Sequence, residues 1–399
     1  MAESVKDVSY SQLQHFISES PWEASTVMNE AASDISRLFE NYEHVSLLFD
    51  ESSHSKKGNK SVGVARQYNG QLGKVDNCQT AVYAALSADK YYGLIDARLY
   101  LPKSWTMDKE RCKAAGIPGE HMVYKTRLEL ALEMIRKHKQ LGTRFQWIGG
   151  DGLYGHDSKF RRAIGLEGLL YMLDIHSKDG VYLEQPTISV PPQIGTRGRV
   201  PVNLKADKPL IKVKDIATGL REDQWKQYTI RNGSKGPLVV HIWVQEVFTW
   251  DEKETEAQKE LLVIRRTKNE AGEYEYKYSL SNADAEKYSW LTLAQVQGQR
   301  HFVERGFEEA KQEAGMSDYQ VRGWLAWHHH MALVMLSLDF ILTEKIAYKE
   351  EYPLLSARDV REIMARTYAK NDDVMQVVKD RHKRRQADID RRYKNPPSG

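Results

Sequence analysis

Apolar residues recur at helical intervals toward both ends of the chain and at strand intervals between them. Over residues 10–41, Leu13, Phe16 and Ile17 precede Pro21-Trp22, and Val27, Ala31, Ile35, Leu38 and Phe39 follow. Steps of three and four predict a small helical N-terminal segment, 1–41. From Val45 the spacing shortens. Val45-Ser-Leu-Leu-Phe-Asp50 is an apolar run closed by a carboxylate, which predicts a buried strand with Asp50 at its end. Runs at 62–68, 75–86 and 92–101, separated by polar turns such as Asn69-Gly70 and stopped by Pro102, predict consecutive antiparallel strands.

Helical periodicity returns over 126–141, where Leu128, Leu130, Ala131, Met134 and Ile135 form one face and Gly142 stops the helix. Phe145-Gln-Trp-Ile-Gly-Gly-Asp151 then repeats the earlier pattern, an apolar strand delivering a carboxylate into a glycine-rich turn. A short helix near 158–164 and a strand at 168–175 complete a βαβ-like unit. Further on, Pro186, Pro191, Pro192, Pro201, Pro209 and Pro237 break helices, and alternating runs at 238–248 and 261–265 predict hairpins. The charged stretch 251–260 reads as a solvated excursion between strands. In the stretch from Gln299 to Gly323, Arg300, Glu304 and Lys311 fall within about 40° of one another on a helix. Val303, Phe307, Ala310 and Ala314 make the adjoining apolar stripe. An apolar core helix is predicted over 324–346 and a further helix over 357–368. A basic end follows, with Arg381, Lys383, Arg384, Arg385, Arg391, Arg392 and Lys394.

Composition narrows this picture. The 399 residues suffice for two or three cores, or for one large core with an insertion. A hydrophobic fraction of 41% beside 28% charged residues is that of an ordinary globular chain and excludes wholesale disorder. The net charge of +3 permits a nucleic-acid partner without demanding one. Cys78 and Cys112, the two cysteines, are too few for a zinc cluster, and the N-terminal residues lack a secretory pattern, so a reducing cytoplasm is expected. No apolar run reaches spanning length, the nearest being 331–338, so no membrane partner is expected. The expected organisation is the helical segment 1–41, the first part of a core at 42–180, a β-rich insertion at 181–287, the core's closing helices at 288–346, and a helical, basic region at 347–399.

Taken singly, Asp50 and Asp151 are ordinary turn or cap residues, and Arg300 and Glu304 an ordinary helical ion pair. Together they say more. Antiparallel strands, a helix, a strand with a second aspartate and a late helix with a glutamate bring Asp50, Asp151 and Glu304 close if the sheet is mixed. This is an α/β, RNase H-like core. Clustered carboxylates of this kind are hard oxygen ligands for Mg²⁺ or Mn²⁺, and two such ions serve phosphodiester cleavage. The tandem His328-His-His330 does not suit a metal, because successive helical residues point about 100° apart. Trp225, Trp243, Trp250 and Trp290 lie in or beside the insertion, where packing is the first expectation and stacking on an extruded base the second.

The chain resembles the DDE transposases of bacterial insertion sequences that carry a Tyr-x2-Arg-x3-Glu-x6-Lys signature. Arg300, Glu304 and Lys311 match its last three positions. Gly149-Gly-Asp-Gly-Leu-Tyr-Gly155 is similar to the second aspartate block, and Leu47-Leu-Phe-Asp-Glu-Ser52 with the following Lys56-Lys-Gly-Asn-Lys-Ser-Val-Gly-Val-Ala-Arg-Gln-Tyr68 to the first. Asn77-Cys-Gln79, Leu99-Tyr-Leu-Pro-Lys-Ser-Trp105 and Tyr319-Gln-Val-Arg-Gly-Trp324 extend the likeness over about residues 10–342. The resemblance implies that Asp50, Asp151 and Glu304 hold two Mg²⁺ ions, with Mn²⁺ substituting. It implies that Arg300 and Lys311 hold DNA phosphates, and that a nucleoid-associated homodimer cuts double-stranded element ends and joins the free 3′-OH to target DNA. Lys56, Lys57, Lys60 and Arg322, with Arg384 and Arg385 of the basic end, are expected along the DNA path. Two departures stand out. Gln297 occupies the signature's tyrosine position, and the segment before Asp50 is short for the family, as in an N-terminally shortened copy. A DNA-binding descendant without catalysis and a structure-selective nuclease are the alternative readings.

Overall fold

The computed structural model describes residues 9–193, 201–233 and 236–367, with 382–383, 386–387 and 390 beyond them. Its centre is the strand β1 (Val45–Ser55). The polar turn after Asn69 lets the chain double back, so β2 (Ala65–Asn69) and β4 (Tyr91–Leu99) both pair antiparallel with β3 (Lys74–Ala88), which in turn pairs antiparallel with β1. The crossover through helix α3 (Arg127–Gln140) reverses the chain direction, as a parallel neighbour requires. Hence β5 (Trp147–Gly150) runs parallel to β1, and β6 (Leu170–Asp174) parallel to β5 after helix α4 (Ser158–Leu166). The order β4-β3-β1-β5-β6, three antiparallel strands followed by two parallel ones, is the expected mixed, RNase H-like α/β sheet.

Side chains of β1 alternate between two cores. Leu48 faces a cluster with Met28 of helix α2 (Ala24–Leu38), Val303 and Phe307 of a late helix, and Met331. Leu47 and Phe49 face the opposite cluster, with Met134 of α3 and Phe160 and Ile164 of α4. This parity decides where the acidic residues that follow are sent.

The insertion adds β7 (Lys226–Gly233), β8 (Gly236–Thr249), β9 (Gln258–Lys268) and β10 (Tyr274–Ser281) as an antiparallel meander. Its last strand pairs with β6, so the sheet runs on to ten strands without interruption. A buried ion pair fastens it further. Arg161 of α4 donates to both oxygens of Glu260 at 2.8 and 3.1 Å, and Tyr171 donates to the same carboxylate at 2.5 Å. The expectation of a solvated excursion between strands holds for 251–257 and is corrected for 258–260. Gln258–Glu260 begin β9, and Glu260 is 3% exposed because core groups neutralise and hydrogen-bond it.

Four helices close the described part of the structure: α5 (Trp290–Gln299), α6 (His301–Gln312), α7 (Trp324–Ala347) and α8 (Ala357–Thr367), the last as predicted. The break at Arg300 makes two helices of the stretch around the signature, and Ala314 lies past the end of α6, partly buried against the core. Helix α7 is long and apolar enough to cross a membrane, contrary to the shorter run expected, but most of its apolar side chains, among them Trp327 and Met335, are buried in the protein core, while Leu325, Leu336 and Phe340 are exposed. Its histidines diverge as expected. His328 contacts the Trp324 carbonyl, His330 that of Gly315, and His329 those of Ile17 and Trp22.

Candidate active site

The register between β1 and β5 brings the two aspartates together. Phe49 pairs with Gly150 at the end of the parallel ladder. One residue further, on strands about 4.8 Å apart, come Asp50 and Asp151. Asp151 leaves the sheet there and caps the short helix Gly152–His156, its Oδ1 accepting from the Leu153 N–H at 2.9 Å. Asp50 is not at a strand end, as the apolar run suggested. Strand β1 continues to Ser55, because Ser52, Ser53 and His54 are buried by pairing with β3, and Ser53 shares a 2.9 Å hydrogen bond with Thr80.

Asp50 has the parity of Leu48, so it faces α6 and its glutamate. The link is Arg300. Its guanidinium lies 3.2 Å from Asp50 Oδ2 and donates to Glu304 Oε1 at 2.6 Å, while its Nε is buried without a partner. His301 lies 3.6 Å from the other Glu304 oxygen. Hydrogen bonding from His301, with the charge of Arg300, holds the half-exposed Glu304 down to about 2. Asp50 goes the other way, to about 6, driven by burial and by the charges of Asp151 and Glu304 against the pull of Arg300.

Glu51 points to the opposite face and was not singled out in the sequence. Tyr154, fully buried, donates to its Oε1 at 2.6 Å, and Arg127 lies 3.7 Å from its Oε2. Burial and the nearby Asp50 and Asp151 raise its carboxyl to about 7, although Tyr154 and Arg127 oppose this. The sequence signal was available in Gly-Gly-Asp-Gly-Leu-Tyr-Gly. A Cβ at Gly150 would crowd the Tyr154 ring, and one at Gly155 would overlap the Asp174 carbonyl oxygen. These glycines let the turn fold tightly enough for the phenol to pass beneath Asp151.

Asp50, Glu51, Asp151 and Glu304 line one open cavity of about 700 Å³, with Glu308, Arg127, Arg300 and Lys311. Five acidic and three basic residues give this lining a formal charge of −2. Among the described residues no three His, Cys, Asp or Glu groups already stand as a metal cage. The all-oxygen donor set, its negative excess and the raised Asp50 nevertheless suit a hard divalent cation.

The expected phosphate contacts divide. Arg300 and Lys311 are at the cavity, and burial lowers the Lys311 pKa while Asp50 resists. Lys56 sits over the Tyr319 ring at 3.6 Å, near the buried His54, whose Nε2 is unpartnered. Lys57, Lys60 and Arg322 are exposed on the surface beyond. Arg384 and Arg385 fall outside the described residues. Gln297 is 2% exposed and donates to Ser279 Oγ at 2.8 Å, so it fastens α5 to the insertion. Trp225 and Trp243 are likewise buried, the packing use expected of them.

Comparison with known proteins identifies the family. A probable transposase for insertion sequence element IS701 from Microchaete diplosiphon is 31% identical over 168 residues, covering 41% of this chain and 40% of that protein. The family model described as DDE superfamily endonuclease matches residues 1–237. With more than half its length matched, and with two aspartates and a glutamate assembled on an RNase H-like sheet, the chain belongs to the DDE superfamily endonucleases.

Proposed function

We propose that the protein is a transposase that cuts DNA at the ends of a mobile element and joins the freed 3′-OH to target DNA. The observation that carries this reading is the meeting of Asp50, Asp151 and Glu304 at one acidic cavity bordered by Arg300 and Lys311. Asp50, Asp151 and Glu304 are the residues that would hold Mg²⁺, two ions in all. Held by these carboxylates, divalent cations would supply activation of the attacking oxygen and stabilisation of the leaving one. Arg300 and Lys311 hold the phosphates flanking the cut, where cations both position and neutralise the strand. Lys56, Lys57, Lys60 and Arg322 continue that path. Two copies acting on two ends make the working form a DNA-bound homodimer.

The test incubates the protein with element-end duplex and Mg²⁺ or Mn²⁺, beside Asp50→Ala, Asp151→Ala and Glu304→Gln. Metal-dependent nicking and strand transfer are expected from the native chain and from none of the variants. Cleavage that survives the substitutions removes the proposal, and cleavage without joining leaves a structure-selective nuclease. Arg300 supports a second reading. It already neutralises Asp50 and Glu304, as in a DNA-binding descendant that no longer takes up metal, which would show salt-sensitive binding and no cleavage.

A further inference from the structure

Asp50 and Asp151 stand on different segments, and their separation must be held by something other than themselves. Backbone pairing ends at Phe49 and Gly150, one residue short of both. Beyond that point the chain segments part, β1 continuing along β3 and the other turning into Gly152–His156. The hydrogen bond that spans the gap is that from Tyr154 to Glu51, at 2.6 Å. Each partner is local to one aspartate. Glu51 follows Asp50 directly, and Tyr154 sits one helical turn after Asp151.

The surroundings are built for this contact. Tyr154 is 0% exposed, its ring lying among Phe49, Phe160 and the face of Gly150. A buried phenol needs a partner, and a carboxylate is a strong acceptor. The turn is fixed from its other side too, since Arg161 donates to the Gly155 carbonyl at 2.5 Å while engaging Glu260. Burial of Glu51 is offset by Arg127, whose guanidinium is carried at the start of α3. Tyr154 does not line the cavity, and Glu51 reaches it from the face of β1 opposite Arg300 and Glu304.

We propose that Glu51 and Tyr154 are a pair of positioning residues, a clamp that sets the distance between Asp50 and Asp151 and so the site's affinity for divalent cations. The inference rests on the metal-dependent reading above. Removing the phenol hydroxyl frees the Asp151 turn from β1, the two carboxylates drift apart, and a cation finds them less well arranged. Outer contacts of this kind typically govern affinity by about 10–100-fold.

The experiment titrates Mn²⁺ into the full chain by calorimetry, without DNA, for the native protein, Tyr154→Phe, Glu51→Leu, their double variant and Glu51→Gln. Thermal melting is recorded in the metal-free state. Tyr154→Phe and Glu51→Leu should each weaken Mn²⁺ binding about tenfold, the double variant no further, and Glu51→Gln should stay within about twofold because its amide oxygen still accepts from Tyr154. Unchanged affinity in Tyr154→Phe, or additive losses, overturns the clamp. So does a loss in Glu51→Gln equal to that in Glu51→Leu, which makes Glu51 a charge contributor or ligand instead. Affinity losses that follow lowered melting midpoints in step assign the pair to packing alone. A native chain that binds no Mn²⁺ refutes the metal-dependent reading itself.

Discussion

Asp50 and Asp96 are separated only by β3, and both are withdrawn from water, yet their surroundings pull in opposite directions. Asp96 lies beside three basic side chains: Lys137 at 2.8 Å, His138 at 3.3 Å and Arg98 at 3.4 Å. It also accepts from the Ala97 N–H at 2.8 Å. Burial alone would raise its pKa, but Arg98, His138 and Lys137 win and hold it far below the carboxylate range. Asp50 has one arginine at 3.2 Å and two carboxylates nearby, and it is pushed up to about 6. A carboxylate that joins α3 to β4 is oversupplied with cations. Asp50, the proposed metal ligand, is left short of them, a shortfall that a divalent ion would fill.

Substituting each aspartate by asparagine should separate the two roles, and the activity arm carries the largest effect. Asp50→Asn is expected to reduce strand cleavage on the order of a thousandfold or more while leaving the fold intact. Asp96→Asn should leave Lys137, His138 and Arg98 without their common partner and destabilise by about 3–5 kcal/mol in urea unfolding. Any activity it loses should return at a temperature where the variant is folded. If Asp96→Asn lost activity while fully folded, or Asp50→Asn lost stability instead of activity, the contrast would fail.

The pH dependence of stability is the next effect. The raised Asp50 keeps its proton in the folded chain after the unfolded chain has released it. Its contribution therefore makes stability fall as pH rises from about 4 to 6, and the penalty persists above that. Asp96, depressed in the fold, contributes stability that is fully present above the ordinary carboxylate range and lost as pH drops below it. In chelator, Asp50→Asn should thus be more stable than the native chain at pH 7.5 by on the order of 2–3 kcal/mol, with little difference at pH 4. Asp96→Asn should show its deficit at pH 7.5 and lose part of it in acid. Parallel pH profiles for the two variants would show that their environments do not differ as described.

The half of the site that the sequence displays is the half made by local rules. An apolar run ending in a carboxylate, twice, and a glutamate four residues after an arginine are patterns that strand and helix geometry translate directly into positions. What stayed hidden depends on partners distant in sequence. Ser52, Ser53 and His54 are too polar to extend the apolar run past Asp50, yet β3 buries them by backbone pairing. Glu260 looks solvated until Arg161, 99 residues earlier, supplies its counter-charge. Glu51 hides behind Asp50 because its meaning comes from Tyr154. The insertion's hairpins were readable, but the pairing of β10 with β6 was not, since no local signal marks which edge a hairpin joins.

Gln297 gives the smallest and sharpest extension of the comparison, because the signature places a tyrosine there and the fold places a buried amide. Its Nε2 donates to Ser279 Oγ at 2.8 Å and to the Val263 carbonyl at 3.3 Å, and Ser279 in turn donates to Asp174 at 2.7 Å. The position therefore belongs with Asp96, as a buried polar group tied into the fold, here through its Nε2 while its Oε1 has no partner, and not with Asp50. Gln297→Tyr puts a larger ring where the chain is 2% exposed and removes two hydrogen bonds. The expected cost is about 1–3 kcal/mol of stability, with the affinity for element-end DNA unchanged in the folded variant. The converse result, tighter DNA binding at undiminished stability, would mean that this side chain reaches the cut end after all and that α5 moves away from the insertion to let it do so.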